Sequence, residues 1–138
     1  MLPVRVLIVD DQEPFRRAAA AVVGLTDGFV VVDAVDSGES CLAAVPRLRP
    51  DLVLMDLALP GIDGIETTRR MGGLGVAPVV VLLTTYDEAE FGEPARAAGA
   101  AAYLDKAGFG PEALAVAWSS HGSTARSSTS PSAQSTAS

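Results

Sequence analysis

Five polar residues stand at the ends of apolar runs, and their types suit one kind of chemistry. They are Asp10, Asp11, Asp56, Thr84 and Lys106. Three clustered carboxylates repel one another unless a cation lies among them. Oxygen ligands favour a hard ion such as Mg²⁺, which keeps several waters and often bridges to a phosphate. This part of the set predicts a magnesium site.

The remaining two side chains suit the other side of a phosphoryl group. The ammonium of Lys106 and the hydroxyl of Thr84 can both bind phosphoryl oxygens. A carboxylate can itself be a nucleophile and form an acyl phosphate. The set therefore indicates Mg²⁺-dependent phosphorylation of an aspartate. Taken singly, the acidic pair is more often a turn or a helix cap, and Thr85 is an alternative to Thr84.

The elements that must position these residues alternate along the chain. Five apolar runs cover 4–9, 29–35, 51–57, 78–84 and 100–105, and helix-compatible segments cover 13–24, 37–50, 64–73, 93–100 and 110–118. Four of the five runs barely alternate with polar residues, as expected for strands covered on both faces. The pattern predicts an α/β fold, a doubly wound parallel sheet with helices on both faces. Such sheets bind ligands at the carboxyl ends of their strands.

Composition excludes several other classes of protein. The chain has 138 residues and a net charge of −7, which argues against a nucleic-acid-binding face. No apolar run reaches the ~18 residues of a membrane helix. One Cys and one His cannot build a soft-ligand metal site. The lone Cys41 and the lack of a signal-peptide pattern make the cytoplasm the expected location.

The carboxyl-terminal segment differs in composition from the rest. Residues 121–138 are rich in Ser and Thr and offer little apolar surface to bury. Such a segment cannot offset the entropy lost on ordering, so we predict a disordered tail or a linker. Residues 1–120 are predicted to form the single folded domain.

The combined motifs resemble a known family. They are VLIVDDQ (6–12), DLVLMDLALPGIDGIE (51–66), VVLLTTYD (80–87) and GAAAYLDK (99–106). Together they resemble the CheY-like receiver domain of bacterial two-component response regulators. The similarity is strongest to receivers of the LuxR/NarL-type DNA-binding subfamily, although no output domain follows in this sequence. The resemblance implies a five-stranded parallel sheet in the order 2-1-3-4-5.

The resemblance also implies a role for each site residue. Asp56 would accept the phosphoryl group, while Asp11 would bind Mg²⁺ directly and Asp10 directly or through water. The main-chain carbonyl of Ala58 would be a further ligand. Thr84 would donate a hydrogen bond to the phosphoryl group, and Lys106 would form an ion pair with it. Thr84 and Tyr103 would act together as the conformational switch.

Partners follow from the same resemblance. A sensor histidine kinase would phosphorylate Asp56, and choice of kinase would depend on residues near Pro14, Phe15 and Arg16. An unknown downstream protein, or a second copy of the chain, would bind the face formed by helix 4, strand 5 and helix 5. Gly92 and Pro94 count against a continuous fourth helix, which we expect to begin near Glu93. No direct nucleic-acid or membrane partner is expected.

Three alternative functions remain open on sequence grounds. The chain could be the N-terminal receiver of a DNA-binding transcriptional regulator. An aspartyl-phosphate phosphatase would need a second carboxylate two residues after Asp56, where Ala58 stands. A flavin-binding module would need a phosphate loop, where DDQEPF (10–15) is acidic. We therefore expect a signalling switch that is no enzyme beyond its own phosphorylation and dephosphorylation.

Overall fold

The computed structural model describes residues 2–85 and 88–122. Residues 1, 86–87 and 123–138 lie outside the described residues, and most of the predicted tail is among them. In the described residues, five β-strands alternate with five α-helices. They are β1 (Val4–Val9), α1 (Glu13–Gly24), β2 (Phe29–Val35), α2 (Gly38–Leu48), β3 (Leu52–Asp56), α3 (Gly64–Met71), β4 (Val79–Thr84), α4 (Glu88–Ala98), β5 (Ala102–Asp105) and α5 (Pro111–Ala117).

The five strands form one parallel sheet in the order β2-β1-β3-β4-β5. Both the predicted class and the predicted order are confirmed. Every residue of β3 and β4 is buried, whereas the edge strands β2 and β5 are partly exposed. The central strands have no alternation in sequence because helices cover both of their faces.

Two apolar cores lie on opposite faces of this sheet, because successive strand residues point to opposite sides. The first, the α2-side core, joins the sheet to α2, α3 and α4 and includes Cys41, Val45, Met71, Leu82 and Ala95. The second, the α1-side core, joins it to α1 and α5 and includes Ile8, Val23, Leu54, Leu83 and Leu114. The sheet is therefore held rigidly between two helical layers.

Short side chains start the helices that follow β2 and β3. The hydroxyl of Ser37 accepts a hydrogen bond from the Ser40 backbone N–H, and Asp63 accepts one from the Glu66 N–H at 2.8 Å. These are N-caps, which satisfy backbone donors that a helix leaves unpaired. The second of them fixes the start of α3 close to the end of β3.

The fourth helix corrects one expectation. It begins at Glu88 rather than near Glu93, and Pro94 lies inside it. Proline removes one helical hydrogen bond, to the carbonyl four residues earlier, and lowers helix propensity. Here Ala95 is fully buried and Phe91 packs against the α2-side core, so burial offsets the local penalty. Among the described residues no peptide bond is cis, and the bond between Lys106 and Ala107 is trans.

Candidate functional site

The carboxyl edge of the sheet brings the predicted acidic residues together. Oxygen atoms of Asp10, Asp11 and Asp56 all lie within 4.8 Å of one another. Asp10 is 0% exposed and Asp56 is 7% exposed, whereas Asp11 is open to solvent. Three convergent carboxylates with one exposed side fit a hard divalent cation that retains part of its water. The donor set therefore suits Mg²⁺.

Asp10 is held by hydrogen bonds to its backbone and to its side chain. Its backbone N–H donates to the Val35 carbonyl at 3.0 Å, which ties it to β2. Its Oδ1 accepts the Gln12 N–H at 2.8 Å, and its carbonyl accepts the Arg16 guanidinium at 2.7 Å. These contacts fix the backbone of Asp10 and one oxygen of its carboxylate.

Lys106 brings a positive charge to the acidic residues. Its Nζ lies 2.7 Å from Asp10 Oδ2 and 3.4 Å from Asp56 Oδ2. Asp10 Oδ2 makes no hydrogen bond of good angular geometry in the described residues, so the shorter contact is an ion pair. The ammonium also lies 4.3 Å from the centroid of the Phe15 ring. Lys106 thus favours Asp10 over Asp56 in this structure.

Asp56 is in an environment that opposes its ionisation. Burial raises the pKa of Asp56 above its ordinary value, and the nearby charge of Asp10 raises it further. The Lys106 ammonium and the Ala58 N–H, which Asp56 Oδ1 accepts at 3.3 Å, lower the pKa and only partly compensate. A cation at this position would favour the ionised carboxylate. The site is therefore short of positive charge.

The hydroxyl at the end of β4 is buried at the carboxyl edge of the sheet. Thr84 is 1% exposed and is the last residue of its strand, whereas Thr85 is exposed. The register of the sheet pairs Thr84 with Asp105, next to Lys106. This position favours Thr84 over the Thr85 alternative.

Tyr103 lies in β5, two residues before Asp105. It pairs with Leu82 in the sheet, is partly buried and packs against the α2-side core. Leu82 and Thr84 share a face because they are two residues apart in a strand. The structure therefore brings Tyr103 to the same side of the sheet as Thr84.

The loop after β3 carries Ala58 and depends on a glycine. The Gly64 N–H donates to the Leu57 carbonyl at 2.8 Å. A Cβ on Gly64 would lie 2.6 Å from the Asp56 carbonyl oxygen and 2.9 Å from the Leu57 Cα. Only glycine allows α3 to approach the end of β3 so closely. Gly64 therefore fixes the loop that returns from the acidic edge.

Sequence reasoning assigned Phe15 and Arg16 to kinase choice and missed their contacts inside the site. Both belong to the first turn of α1, which starts three residues after Asp10. An aromatic and a guanidinium in a helical turn directly after an acidic pair were the available signal. Nothing in the local pattern showed that they would reach Lys106 and Asp10.

The fold and the acidic edge together define a CheY-like receiver. The family model for the response regulator receiver domain matches residues 6–118, and the chain belongs to that family. Members are signalling receivers that act with histidine kinases and are not conventional enzymes. Among the described residues, no helix combines the length and apolar character required to cross a membrane.

Individual relatives agree with this assignment. The chain is 38% identical over 103 residues to the response regulator GacA of Pseudomonas aeruginosa. The aligned region covers 75% of this chain and 48% of that protein. The chain thus spans about half the length of this relative. A LuxR-family two-component response regulator from Aurantimonas sp. SI85-9A1 superposes with TM-score 0.76 at 29% identity, covering 82% of this chain and 80% of that one. A CheY-like receiver domain protein from Methanospirillum hungatei JF-1 superposes with a TM-score of 0.70 at 27% identity, and the match covers 83% of this chain and 88% of that one.

Proposed function

We propose that Asp56 accepts a phosphoryl group from a sensor histidine kinase in a Mg²⁺-dependent reaction. The observation that carries this proposal is the cluster of three carboxylates within 4.8 Å, with Lys106 Nζ 3.4 Å from Asp56. One oxygen of Asp56 forms a bond to phosphorus while the bond between phosphorus and the donor breaks. The product is an acyl phosphate on this chain.

The cation would be held by Asp10, Asp11, Asp56 and the main-chain carbonyl of Ala58. When bound, it supplies the positive charge that carboxylates and phosphoryl oxygens need in order to approach one another. Asp10 and Asp56 are buried and fixed in place, so little reorganisation is needed. The exposed side, at Asp11, leaves room for the phosphodonor.

Lys106 and Thr84 would bind the phosphoryl oxygens after transfer. Lys106 already lies beside Asp56, and Thr84 is buried at the end of the neighbouring strand. Movement of Thr84 toward the phosphoryl group would open space that the Tyr103 ring can enter. Phosphorylation would thereby change the surface near β5 and control a downstream protein.

The surface next to Tyr103 suits such a partner. A groove of about 840 Å³ runs between α4, β5 and α5. It is lined mostly by alanines and other small residues, together with the exposed Val116. We propose that this face binds either the downstream protein or a second copy of the chain. Because α4 is continuous through Gly92 and Pro94, the helix needed for that face is present.

A second candidate is the N-terminal receiver of a longer DNA-binding regulator. It is favoured by the relative GacA, of which the chain spans only 48%. Residues 1–120 would then be the receiver and 121–138 a linker, working in the cytoplasm with the kinase. A coding region that continues into a basic helix-turn-helix would support this candidate, and a stop codon directly after residue 138 would contradict it.

The test is intact mass after incubation with acetyl phosphate. The wild type should gain one phosphoryl group with Mg²⁺ and none with EDTA, and Asp56→Asn should gain none. Asp51→Asn is the matched control, because Asp51 lies directly before β3 at its opposite end and accepts the Arg5 N–H. Uptake by Asp56→Asn would identify another acceptor, and the absence of uptake in the wild type would overturn the proposal.

Metal binding can be tested without phosphorylation. Mg²⁺ that binds only the folded chain should raise the melting temperature, by an amount that grows with concentration. Asp11→Asn removes the exposed ligand and should weaken this response while leaving the metal-free melting temperature nearly unchanged. A wild-type melting temperature that does not change with Mg²⁺ would contradict a site at these carboxylates.

A further inference from the structure

The Phe15 ring is a neighbour of the Lys106 ammonium that differs in kind from the carboxylates. Asp10 and Asp56 are charged acceptors, whereas the Phe15 ring, 4.3 Å from Nζ, carries no net charge. An aromatic face attracts a cation through its quadrupole, and more strongly where water is excluded. The Lys106 side chain is only 17% exposed, so this contact is largely shielded from water.

The position of the ring follows from the start of α1. The helix begins at Glu13 with Pro14 in its first turn, where proline is favourable. This start directs Phe15 toward the α1-side core, against which it is partly buried. The ring is therefore held by packing and does not depend on the lysine for its position.

The carboxylate partner of Lys106 is the same group that the cation needs. Asp10 Oδ1 is occupied by the Gln12 N–H and Asp10 Oδ2 by the lysine. Once Asp10 serves a divalent cation, its attraction for Lys106 is reduced. A long, flexible ammonium side chain would then be free to turn toward water. The Phe15 ring is not a ligand of the divalent cation, so its attraction for the Lys106 ammonium remains.

We propose that Phe15 is a positioning residue, which keeps Lys106 beside Asp56 when Asp10 turns to the cation. The inference rests on the proposed function, because it assigns Lys106 to the phosphoryl group. Its structural half, the contact between ring and ammonium in the metal-bound protein, is independent of phosphorylation. The two halves therefore have separate readouts.

The first experiment measures the contact by NMR. The ε-methylene protons of Lys106 should show an upfield ring-current shift in the wild type and in Phe15→Tyr, both in EDTA and in saturating Mg²⁺. Phe15→Leu keeps apolar bulk but has no ring, and its Lys106 signals should move to ordinary values. Equal Lys106 shifts in wild type and Phe15→Leu at saturating Mg²⁺ would overturn the proposal.

The second experiment separates positioning from packing. Phe15→Leu should slow phosphate uptake from acetyl phosphate by about threefold to tenfold, and Phe15→Tyr should restore most of the rate. In a Lys106→Ala background the same Leu substitution should have no further effect, because the group it positions is absent. An equal slowing in both backgrounds would show that the ring acts through the core and would overturn the proposal. If the wild type takes up no phosphate, the proposed function fails, and the NMR shifts in Mg²⁺ still decide whether Phe15 holds Lys106.

Discussion

The carboxyl edge of the sheet and the groove between α4, β5 and α5 are built in opposite ways. At the edge, Asp10 and Asp56 are buried and held by directional hydrogen bonds and ion pairs. The groove is lined mainly by alanines and other small residues. Phosphoryl transfer requires fixed geometry, whereas a partner surface can be completed by the partner. The acidic edge is therefore ordered by its own polar contacts, whereas the groove offers mainly small apolar side chains.

The two regions also tolerate different residues. The loop that returns from the edge requires glycine at position 64, where no Cβ fits. By contrast, α4 beside the groove accepts Pro94 within a helix, at a cost in local propensity. The edge should therefore lose stability on a small substitution, while the groove region should gain it when the unfavourable residue is removed.

The largest expected effect comes from Gly64→Ala. Its Cβ would lie 2.6 Å from a backbone oxygen and 2.9 Å from a backbone Cα, neither of which can rotate away. We expect a loss of about 3 kcal/mol in the free energy of unfolding, the upper range for overpacking. The measurement is urea denaturation.

The matched control is Gly24→Ala. Gly24 ends α1, and a Cβ there would meet nothing within 4 Å. Its stability should be unchanged or slightly higher, since alanine has the better helix propensity. Equal stability of the two variants would contradict the requirement for glycine at position 64.

Most of the fold and the acidic cluster could be predicted from sequence. Strands β3 and β4 read as continuous apolar runs because both faces are covered. Asp10, Asp11 and Asp56 could be placed together because parallel strands end at a common edge. The start of α4 could not be predicted, because burial of Ala95 outweighs the local effect of Pro94.

The contacts of Lys106 were also beyond sequence reasoning. Lys106 Nζ lies closer to Asp10 Oδ2, at 2.7 Å, than to Asp56 Oδ2, at 3.4 Å. That difference depends on how residues far apart in the chain pack together, which no local pattern encodes. The Phe15 ring contributes to the same arrangement from a separate element.

A smaller effect of opposite sign is expected from Pro94→Ala in the groove region. Alanine restores an N–H that can donate to the carbonyl of Glu90 and removes the ring from the helix interior. Because the native helix has adapted to the proline, we expect a gain of about 1 kcal/mol rather than the full ~3. Glu93→Ala, at the neighbouring exposed position, is the control and should change little, because its ion pair with Arg96 is exposed. No gain on replacing Pro94 would indicate that α4 is not limited by its proline.

The smallest effect, and the one that tests the charge deficit of the edge, is the pH dependence of Asp56→Asn in metal-free protein. The pKa of Asp56 is raised by burial and by the charge of Asp10, so the folded chain binds this proton more tightly than the unfolded chain. Wild-type stability therefore falls as pH rises from the ordinary aspartate pKa through the raised one.

The asparagine variant has no proton to lose, so it should melt a few degrees above wild type at neutral pH in EDTA. That difference should shrink as pH falls toward the ordinary aspartate range. Saturating Mg²⁺ should reverse the order at neutral pH, because the ion stabilises the ionised carboxylate and asparagine is a poorer ligand. A difference that stays constant across this pH range would mean that Asp56 ionises in the folded chain as it does in the unfolded one.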